Sequence, residues 1–362
     1  MWRLSTLIMS TIKVEVCKII EIKPHYNADA LELATVQGWQ ICVKKGVHQP
    51  GDLVVYFEQG TVLSKEISER LNVGAYLVEK TDINGDRVLV VHRIKLRGEP
   101  SFGLVIQPEL GMELGADVAE FYGAIKYHPP VKAQAGDSAS DDPDFPKYTN
   151  LENMRSYPTI LAPGETVVAT EKIHGTNARV GFVWHSDQEQ PTMMAGSRAL
   201  RRKQPEEPIA MVTNTYWFPH TLIGVKKLLE DLQIQGHKQA ILYGEVYGQG
   251  IQAYTYSEKR MNFRAFDLML DGKYVDYSIF KSLCNKHQVE QVPLIYEGAF
   301  SLEVIKEISD GDSLVGGNHG REGVVVKPIV ERDNPKSGRV VLKYIGDRYL
   351  FGKVAEQDTT DV

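Results

Sequence analysis

Apolar and polar positions alternate in the first third of the chain, which is the pattern of half-buried β-strands. Ile12, Val14 and Val16 are apolar, and the residues between them are charged. The β-prone runs LELATV, WQICVKK and GDLVVYFE follow, separated by turn residues. Asn84 and the glycine after it lie between two further runs and predict a β-hairpin. Short strands at this spacing are typical of a small β-barrel, which we predict for residues 11–128.

A different pattern begins after residue 128. Residues 129–150 are rich in Pro, Ser and Asp, and this composition predicts a linker. In residues 151–362, leucines near helical spacing predict a helix over 220–233, with Pro219 at its start. The runs AILYGEVYG, FRAFDLML, GVVVKPIV and RVVLKYI predict strands. We therefore predict an α+β fold, with a second domain of antiparallel sheets flanked by helices. We treat residues 1–10 as an extension outside both domains.

Composition and charge exclude some classes of protein. The formal net charge is -6, so any surface that binds nucleic acid must be a local basic patch. No apolar run is long enough to span a bilayer, and the first eight residues are too short for a secretory signal. Cys17, Cys42 and Cys284 show no CxxC spacing, which argues against a disulfide framework or a cysteine zinc site. We expect a cytoplasmic protein.

Five short segments in the second domain carry the chemistry. They are EKIHGTN (171–177), YGEVYG (243–248), FRAFD (263–267), REGVVVK (321–327) and VLKY (341–344). Each is common by itself. In this order they resemble the motifs of the covalent nucleotidyltransferases, which comprise ATP-dependent DNA and RNA ligases and RNA capping enzymes. The histidine in the KxHG segment favours the RNA ligases, because DNA ligases generally carry aspartate there.

The resemblance implies that Lys172 is the nucleophile that attacks the α-phosphorus of a nucleotide. An unperturbed lysine has a pKa of about 10.4, so a nucleophilic lysine needs positive charge nearby to favour the neutral amine. The expected sources are Lys343, Lys327 and a divalent metal, Mg or Mn. Glu245 and Glu322 are the expected metal ligands, since hard cations prefer carboxylate oxygens. Considered alone, Lys172 would be an ordinary surface lysine.

The resemblance also implies contacts to ATP or AMP and to RNA. Phe266 is expected to stack on the adenine, although such a residue is more often part of a core. The other residues expected at the nucleotide are Glu171, Ile173, Asn177, Arg198 and Glu245. Arg201 and Arg202 compete with Arg198 for this role. The residues expected at RNA or its 5'-phosphate are His174, Arg155 and Asp267.

One motif departs from the family. Related ligases often carry a KxK pair in the last segment, whereas this chain has Val341 before Lys343. Lys327 is then expected to supply the second positive charge from the neighbouring strand.

The predicted barrel adds a second resemblance. HYNADALELATV, residues 25–36, is similar to a signature of OB-fold modules that bind tRNA-like RNA. An OB domain before the nucleotidyltransferase domain is similar to one family of RNA ligases, because DNA ligases and capping enzymes usually carry it afterwards. The resemblance therefore implies an OB-like β-barrel followed by an adenylyltransferase domain.

Together these resemblances imply an ATP-dependent RNA ligase, acting through a lysine–AMP intermediate and an adenylylated RNA. Its expected partner is RNA with 3'-hydroxyl and 5'-phosphate ends, with a nicked duplex and RNA repair as the setting. We expect a monomer without membrane contact. Two alternatives stay open: a capping-type guanylyltransferase, which would use GTP, and a non-catalytic RNA-binding protein with a degenerate nucleotidyltransferase domain.

Overall fold

The computed structural model describes residues 12–130, 137–335 and 337–352. The chain divides into two compact units, residues 1–131 and 132–362. The extension expected at residues 1–10 lies outside the described residues. Within the described ranges, no helix is long and apolar enough to cross a membrane.

The first unit is built mainly from short antiparallel strands. Its strands are β1 (Val14–Pro24), β2 (Leu31–Val36), β3 (Trp39–Lys44), β4 (Leu53–Phe57), β5 (Thr61–Leu63), β6 (Leu77–Thr81), β7 (Arg87–Val91), β8 (Ile94–Leu96), β9 (Glu99–Ser101), β10 (Leu104–Ile106) and β11 (Ile125–Lys126). Helix α1 (Lys65–Leu71) begins after Ser64, whose hydroxyl accepts a hydrogen bond from the backbone N–H of Ile67. A 3₁₀ turn spans Gly74–Tyr76.

These strands form a five-stranded sheet, β10-β4-β1-β2-β3, a four-stranded sheet, β11-β5-β7-β6, and the hairpin β8-β9. The alternation predicted for β1 is confirmed, because Val14 and Val16 are fully buried in the core of this unit. The hairpin predicted at Asn84 is also confirmed, since β6 pairs antiparallel with β7. Its loop is stabilised by Asp82, whose side chain accepts hydrogen bonds from the N–H groups of Asn84 and Asp86.

The second unit contains the remaining strands and helices. Its strands are β12 (Glu152–Asn153), β13 (Thr166–Glu171), β14 (Thr176–Val183), β15 (Thr192–Ser197), β16 (Arg201–Arg202), β17 (Gln239–Gly248), β18 (Met261–Leu270), β19 (Lys273–Tyr274), β20 (Leu294–Ala299), β21 (Gly323–Pro328), β22 (Asp333–Asn334), β23 (Gly338–Arg339) and β24 (Leu342–Ile345). Its helices are α2 (Pro208–Thr213), α3 (Ile223–Ile234), α4 (Tyr277–His287), α5 (Leu302–Ser309) and α6 (Asp347–Leu350), with 3₁₀ turns at Met154–Ser156 and Phe218–Thr221. The predicted helix begins at Ile223 rather than at residue 220, because the chain first makes the second of these turns.

Two larger sheets organise this unit. The first has the order β12-β24-β21-β13-β20 and the second β16-β15-β14-β17-β18-β19. Pairing is antiparallel in both, except between β12 and β24. Helices α3 and α4 cover one face of the six-stranded sheet, where Leu228 and Phe280 pack against Leu242 and Leu268. Val168 of β13 belongs to the same cluster, so the two sheets share part of one core.

Residues 137–150, which we call the strap, differ from the linker expected over 129–150. The strap packs on the six-stranded sheet, where Phe145 and Tyr148 are buried with Ile241 and Met269. Arg179 donates a hydrogen bond to the carbonyl of Phe145. Two aromatic side chains and partners for the backbone are enough to order a segment whose composition is otherwise that of a linker. Residues 131–136 lie outside the described residues.

Candidate functional site

A buried ion pair lies at the end of β13. Lys172 follows the last residue of this strand and is only 9% exposed, while Glu322 is 0% exposed. The Lys172 Nζ lies 2.6 Å from Glu322 Oε1. Burial of a charge is costly unless an opposite charge balances it, and here the two side chains balance each other. Lys172 is therefore a buried cation rather than a solvated surface lysine.

Aromatic rings surround His174, the next polar residue of the KxHG segment. Its Nδ1 lies 3.6 Å from Glu322 Oε2, and the rings of Tyr254 and Tyr349 pack beside it. Its backbone N–H donates to the hydroxyl of Tyr256 over 2.6 Å. Tyr256 has a φ of 56°, a strained value for a residue with a side chain, which its burial sustains. The sequence pattern gave no signal for these three tyrosines.

The glycine of the KxHG segment allows a close approach to β17. A Cβ on Gly175 would lie 2.3 Å from the carbonyl oxygen of Val246 and 2.9 Å from Cγ of Glu245. Two residues later, Asn177 of β14 pairs directly with Glu245. The segment thus passes against Glu245, and the structure brings together the predicted residues Lys172, Asn177, Glu245 and Glu322 in one region.

A β-bulge determines where Phe266 lies. Tyr243 pairs with Asp267 and Gly244 pairs with Ala265, so Phe266 is the extra residue of β18. Its half-buried side chain packs against the cluster that contains Ile173. The structure therefore places two of the residues predicted for the nucleotide site, Phe266 and Ile173, at the same cluster.

Asp267 lies in a buried network and is 2% exposed. Its carboxylate contacts Lys327 and accepts hydrogen bonds from Tyr148, while the Arg339 Nη2 lies 3.0 Å from its Oδ2. Burial by itself would raise the pKa of Asp267, but Arg339 and Lys327 outweigh it and hold this pKa below its ordinary value. This placement differs from the expected contact of Asp267 with RNA, because cations and a hydroxyl of the protein already surround the carboxylate.

Lys327 and Lys343 occupy different positions relative to Lys172. Lys327 pairs with Val168 in the ladder, four residues before Lys172, which corresponds to about 13 Å along a strand. Its Nζ is held by Asp267 and lies 3.7 Å from Glu331. The structure therefore does not bring Lys327 to Lys172, in contrast to the expectation. Lys343 pairs with Val325, which in turn pairs with Thr170 beside Lys172.

Glu171 stabilises the loop that precedes Glu322. Its buried carboxylate accepts hydrogen bonds from the Ser313 hydroxyl and, over 2.8 Å, from the N–H of Leu314. The Glu171 side chain therefore anchors this loop beside Lys172.

The predicted arginines are engaged within the protein. The Arg155 Nη2 donates to the carbonyl of Ile345 and to Asp347, and the guanidinium lies over the ring of Tyr344. This differs from the expected contact of Arg155 with RNA, because the arginine is buried at the end of β24. Arg198 donates to the side chain of Asn150. The competing residues Arg201 and Arg202 lie 3.4 Å from Asp142 and Asp137 of the strap.

The acceptor atoms of the site fit a hard cation. The Oδ1 of Asn177 is buried and has no hydrogen-bond partner among the described residues. The buried carboxylate of Glu322 faces Lys172 with Oε1, and its Oε2 lies 3.6 Å from the Nδ1 of His174. A carboxylate has acceptor capacity beyond one ion pair, and buried carboxylate and amide oxygens are ligands that Mg²⁺ or Mn²⁺ prefers. Glu245, opposite Asn177, adds a second carboxylate.

Comparisons with known proteins identify the family and the fold. A family model described as RNA ligase matches residues 165–345, half of the 362-residue chain. An OB-fold domain model matches residues 13–108, which confirms the fold expected for the first unit. A search of curated protein sequences found no match.

Solved structures of an RNA ligase from Naegleria gruberi resemble the whole chain. The complex with PPi is 26% identical, with a TM-score of 0.68, covering 95% of this chain and 98% of the other. A lysine-to-methionine variant with AMP and Mn is also 26% identical, with a TM-score of 0.68 and coverage of 93% and 97%. A lysine-to-alanine variant with ATP and Mn is 25% identical, with a TM-score of 0.67 and coverage of 93% and 98%. The α+β fold with antiparallel sheets in the second unit is thereby confirmed.

Proposed function

The chain belongs to the RNA ligase family, and from this premise we propose that it is an ATP-dependent enzyme that seals 3'-hydroxyl/5'-phosphate breaks in RNA. The substrate we propose is a nick in duplex RNA or in an RNA-containing hybrid, and the role is RNA repair. The ATP and AMP complexes of the Naegleria gruberi ligase support the choice of nucleotide.

The buried pair of Lys172 and Glu322 is the observation that carries the proposal. A buried lysine needs a partner, which here is Glu322. Five residues after Lys172, Asn177 pairs with Glu245, and all four residues lie within the span that matches the family. In the first step, the Lys172 amine attacks the α-phosphorus of ATP. An N–P bond forms and the bond to the pyrophosphate oxygen breaks. Attack requires the neutral amine, so the ammonium of Lys172 first gives a proton to solvent, which ends its ion pair with Glu322. The nitrogen loses a second proton to solvent as the N–P bond forms.

The next two steps transfer and release AMP. A 5'-phosphate oxygen of RNA takes the AMP from Lys172, which regenerates the amine. The 3'-hydroxyl then attacks that phosphate and displaces AMP, forming the phosphodiester bond. Lys343 is placed near Thr170 on the same sheet, and we propose that it stabilises the phosphate charge.

We propose that Glu322, Glu245 and Asn177 hold a divalent cation, Mg²⁺ or Mn²⁺. When bound, the cation would supply positive charge that stabilises the phosphate oxygens. The buried acceptor atoms of Glu322 and Asn177 support this assignment, as do the Mn complexes of the Naegleria gruberi ligase.

The first unit offers a surface for RNA. Tyr26 is 71% exposed, and the exposed residues Lys44, Lys45 and Arg97 flank its loop. The side chains of His25 and Asn27 hydrogen-bond the carbonyls of Leu96 and Arg97, which fixes the hairpin that carries Arg97. Exposed aromatic and basic side chains are the combination with which OB-folds contact single-stranded nucleic acid. We propose that this surface contributes to RNA binding.

Transfer of label from ATP tests the catalytic proposal. The protein is incubated with ATP labelled at the α-phosphate and with Mg²⁺ or Mn²⁺, then denatured, and covalent label is measured on the chain. We expect label in the wild type and in Lys226→Ala, which removes an exposed lysine of α3. We expect none in Lys172→Ala, provided that its circular dichroism shows a folded protein.

Labelled GTP is run beside ATP. Label from GTP in place of ATP would replace the proposal with capping chemistry. Absence of label from either nucleotide, on folded protein that was not already adenylylated, would contradict catalysis and leave an RNA-binding protein. Label that persists in Lys172→Ala would assign the nucleophile to another residue.

A further inference from the structure

The strap reaches the candidate nucleotide site through Tyr148. Its hydroxyl donates to Asp267 Oδ2 over 2.5 Å, and it accepts a hydrogen bond from Arg339 over 3.3 Å. Burial raises the pKa of Tyr148, whereas that of Asp267 is lowered, so the proton of this hydrogen bond stays on the tyrosine. Tyr148 is thus a neutral donor to a buried carboxylate, and hydrogen bonds to a charged group are among the stronger ones.

The partners of Asp267 hold its carboxylate from several sides. Lys327 contacts its Oδ1, and Arg339 lies 3.0 Å from its Oδ2. Glu331 in turn accepts two hydrogen bonds from Arg339, of 2.6 and 2.7 Å. Three segments of the second unit (the strap, β21 and β23) therefore converge on this one carboxylate of β18.

Asp267 directly follows Phe266, the extra residue of the β-bulge. The ring of Tyr148 also packs edge-on against the ring of Phe266, with centroids 4.9 Å apart and an interplanar angle of 61°. Tyr148 therefore restrains Phe266 in two ways: through the backbone next to Asp267, and by direct ring contact. A bulged residue lacks the ladder hydrogen bonds that orient its neighbours, so such external restraint decides where its side chain lies.

We propose that Tyr148 is a positioning residue that fixes the ring of Phe266 as the platform for the adenine base, which makes the strap part of the nucleotide site. The inference rests on the proposed function, because it takes Phe266 as the base platform. Asp267 and Lys327 act in the same network, as supports of the platform rather than as groups that touch RNA or phosphate.

A matched pair of tyrosine variants tests this role. Tyr148→Phe keeps the ring and removes the hydroxyl that Asp267 accepts. Tyr243→Phe removes a comparable buried hydroxyl, which donates to the carbonyl of Pro146 in the same strap over 3.0 Å. Both variants loosen the strap, but only the first alters the support of Phe266. The measurements are the Kd for ATP, and the KM and kcat of lysine–AMP formation, on the full chain.

We expect Tyr148→Phe to raise the Kd and KM for ATP about tenfold, the loss typical of one hydrogen bond to a charged group. Its kcat should stay within about threefold, because a base platform binds ground state and transition state alike. Tyr243→Phe should leave the Kd and KM within about twofold. In a Phe266→Ala background, Tyr148→Phe should have no further effect on the Kd, since a residue that acts through the platform is not additive with its loss.

Equal changes in the Kd and KM for ATP in the two tyrosine variants would show that Tyr148 has only a structural role, and would overturn the inference. An undiminished effect of Tyr148→Phe in the Phe266→Ala background would do the same. Wild-type protein that binds ATP but forms no lysine–AMP would contradict the proposed function, while the Kd values still decide the role of Tyr148. Wild-type protein that fails to bind ATP would overturn both.

Discussion

Several charged side chains of the second unit are buried. Lys172, Glu322, Asp267 and Lys327 are all buried, and each faces an opposite charge. The two pairs differ in what surrounds them. Asp267 is held by two cations and a hydroxyl, whereas Glu322 faces one cation, Lys172, with His174 Nδ1 3.6 Å from its other oxygen. The first arrangement suits a structural support, and the second leaves acceptor capacity for a ligand.

The pH dependence of stability tests whether the charge of Asp267 stabilises the fold. The pKa of Asp267 is lower in the folded protein than in the unfolded chain, where an aspartate has a pKa of about 3.9. The unfolded chain therefore binds the proton first as the pH falls, and the stabilisation by Asp267, present above about pH 4, is lost below it. We expect Asp267→Asn to lower the free energy of unfolding by about 3 kcal/mol at pH 7, because two buried cations lose their shared partner.

The quantity to compare is the difference in the free energy of unfolding between wild type and Asp267→Asn. It is measured by urea unfolding at pH 7 and at pH 3. Groups outside the network of Asp267 titrate alike in both proteins and cancel in this difference. We expect the difference to shrink at pH 3. A constant difference would show that the charge of Asp267 does not contribute to stability.

At the scale of elements, the site depends on backbones that approach closely. The KxHG segment passes so near β17 that Gly175 has no space for a Cβ. The next strand, β18, carries the bulge that turns Phe266 towards Ile173. The close approach at Gly175 and the bulge at Phe266 involve strands β14, β17 and β18 of one sheet. Together they determine the distance between the segment that contains Lys172 and the expected base platform.

Gly175→Ala tests this close approach. The added methyl group would displace the segment from Val246 and Glu245, and we expect lysine–AMP formation to fall about 100-fold, since a displacement near 1 Å can cost this much. Gly74→Ala is the matched control, because a Cβ there meets its nearest atom at an ordinary 3.8 Å. The rates are compared on variants with similar melting temperatures. Equal rates in the two variants would show that the close approach is unimportant.

At the scale of the whole molecule, the chain forms two units with separate cores. Its three cysteines are free and buried, with Cys17 and Cys42 in the first unit and Cys284 in the second. This agrees with the prediction of no disulfide framework. Burial raises the pKa of Cys17 and Cys284 to about 12 and that of Cys42 to about 11.

The thiols should therefore report on the folding of each unit. Because the thiolate is the reactive form, we expect no alkylation by iodoacetamide at pH 8 in the native protein and complete alkylation in urea without reductant. Mass spectrometry of peptides at increasing urea then follows Cys17 and Cys42 separately from Cys284. Rapid native labelling of any of the three would contradict the burial described here.

The sequence by itself determined the elements and the order of the motifs. The run LELATV is strand β2, and AILYGEVYG lies wholly within β17. The segments around Lys172 and Glu322 were singled out from their residue types, and the RNA ligase match spans both. Such features can be read from the chain because periodicity and short motifs depend on neighbouring residues.

Only the tertiary structure decided which side chains are partners. Lys172 and Glu322 are 150 positions apart, and Tyr148 and Asp267 are 119 positions apart. The strap was predicted as a linker because its composition is polar, yet Phe145 and Tyr148 have a buried surface to occupy. Lys327 was expected beside Lys172, but the register of β21 on β13 directs it to Asp267. A charged or aromatic residue has the same local pattern whether it meets solvent, a substrate or another side chain, and only the packing of distant segments distinguishes these environments.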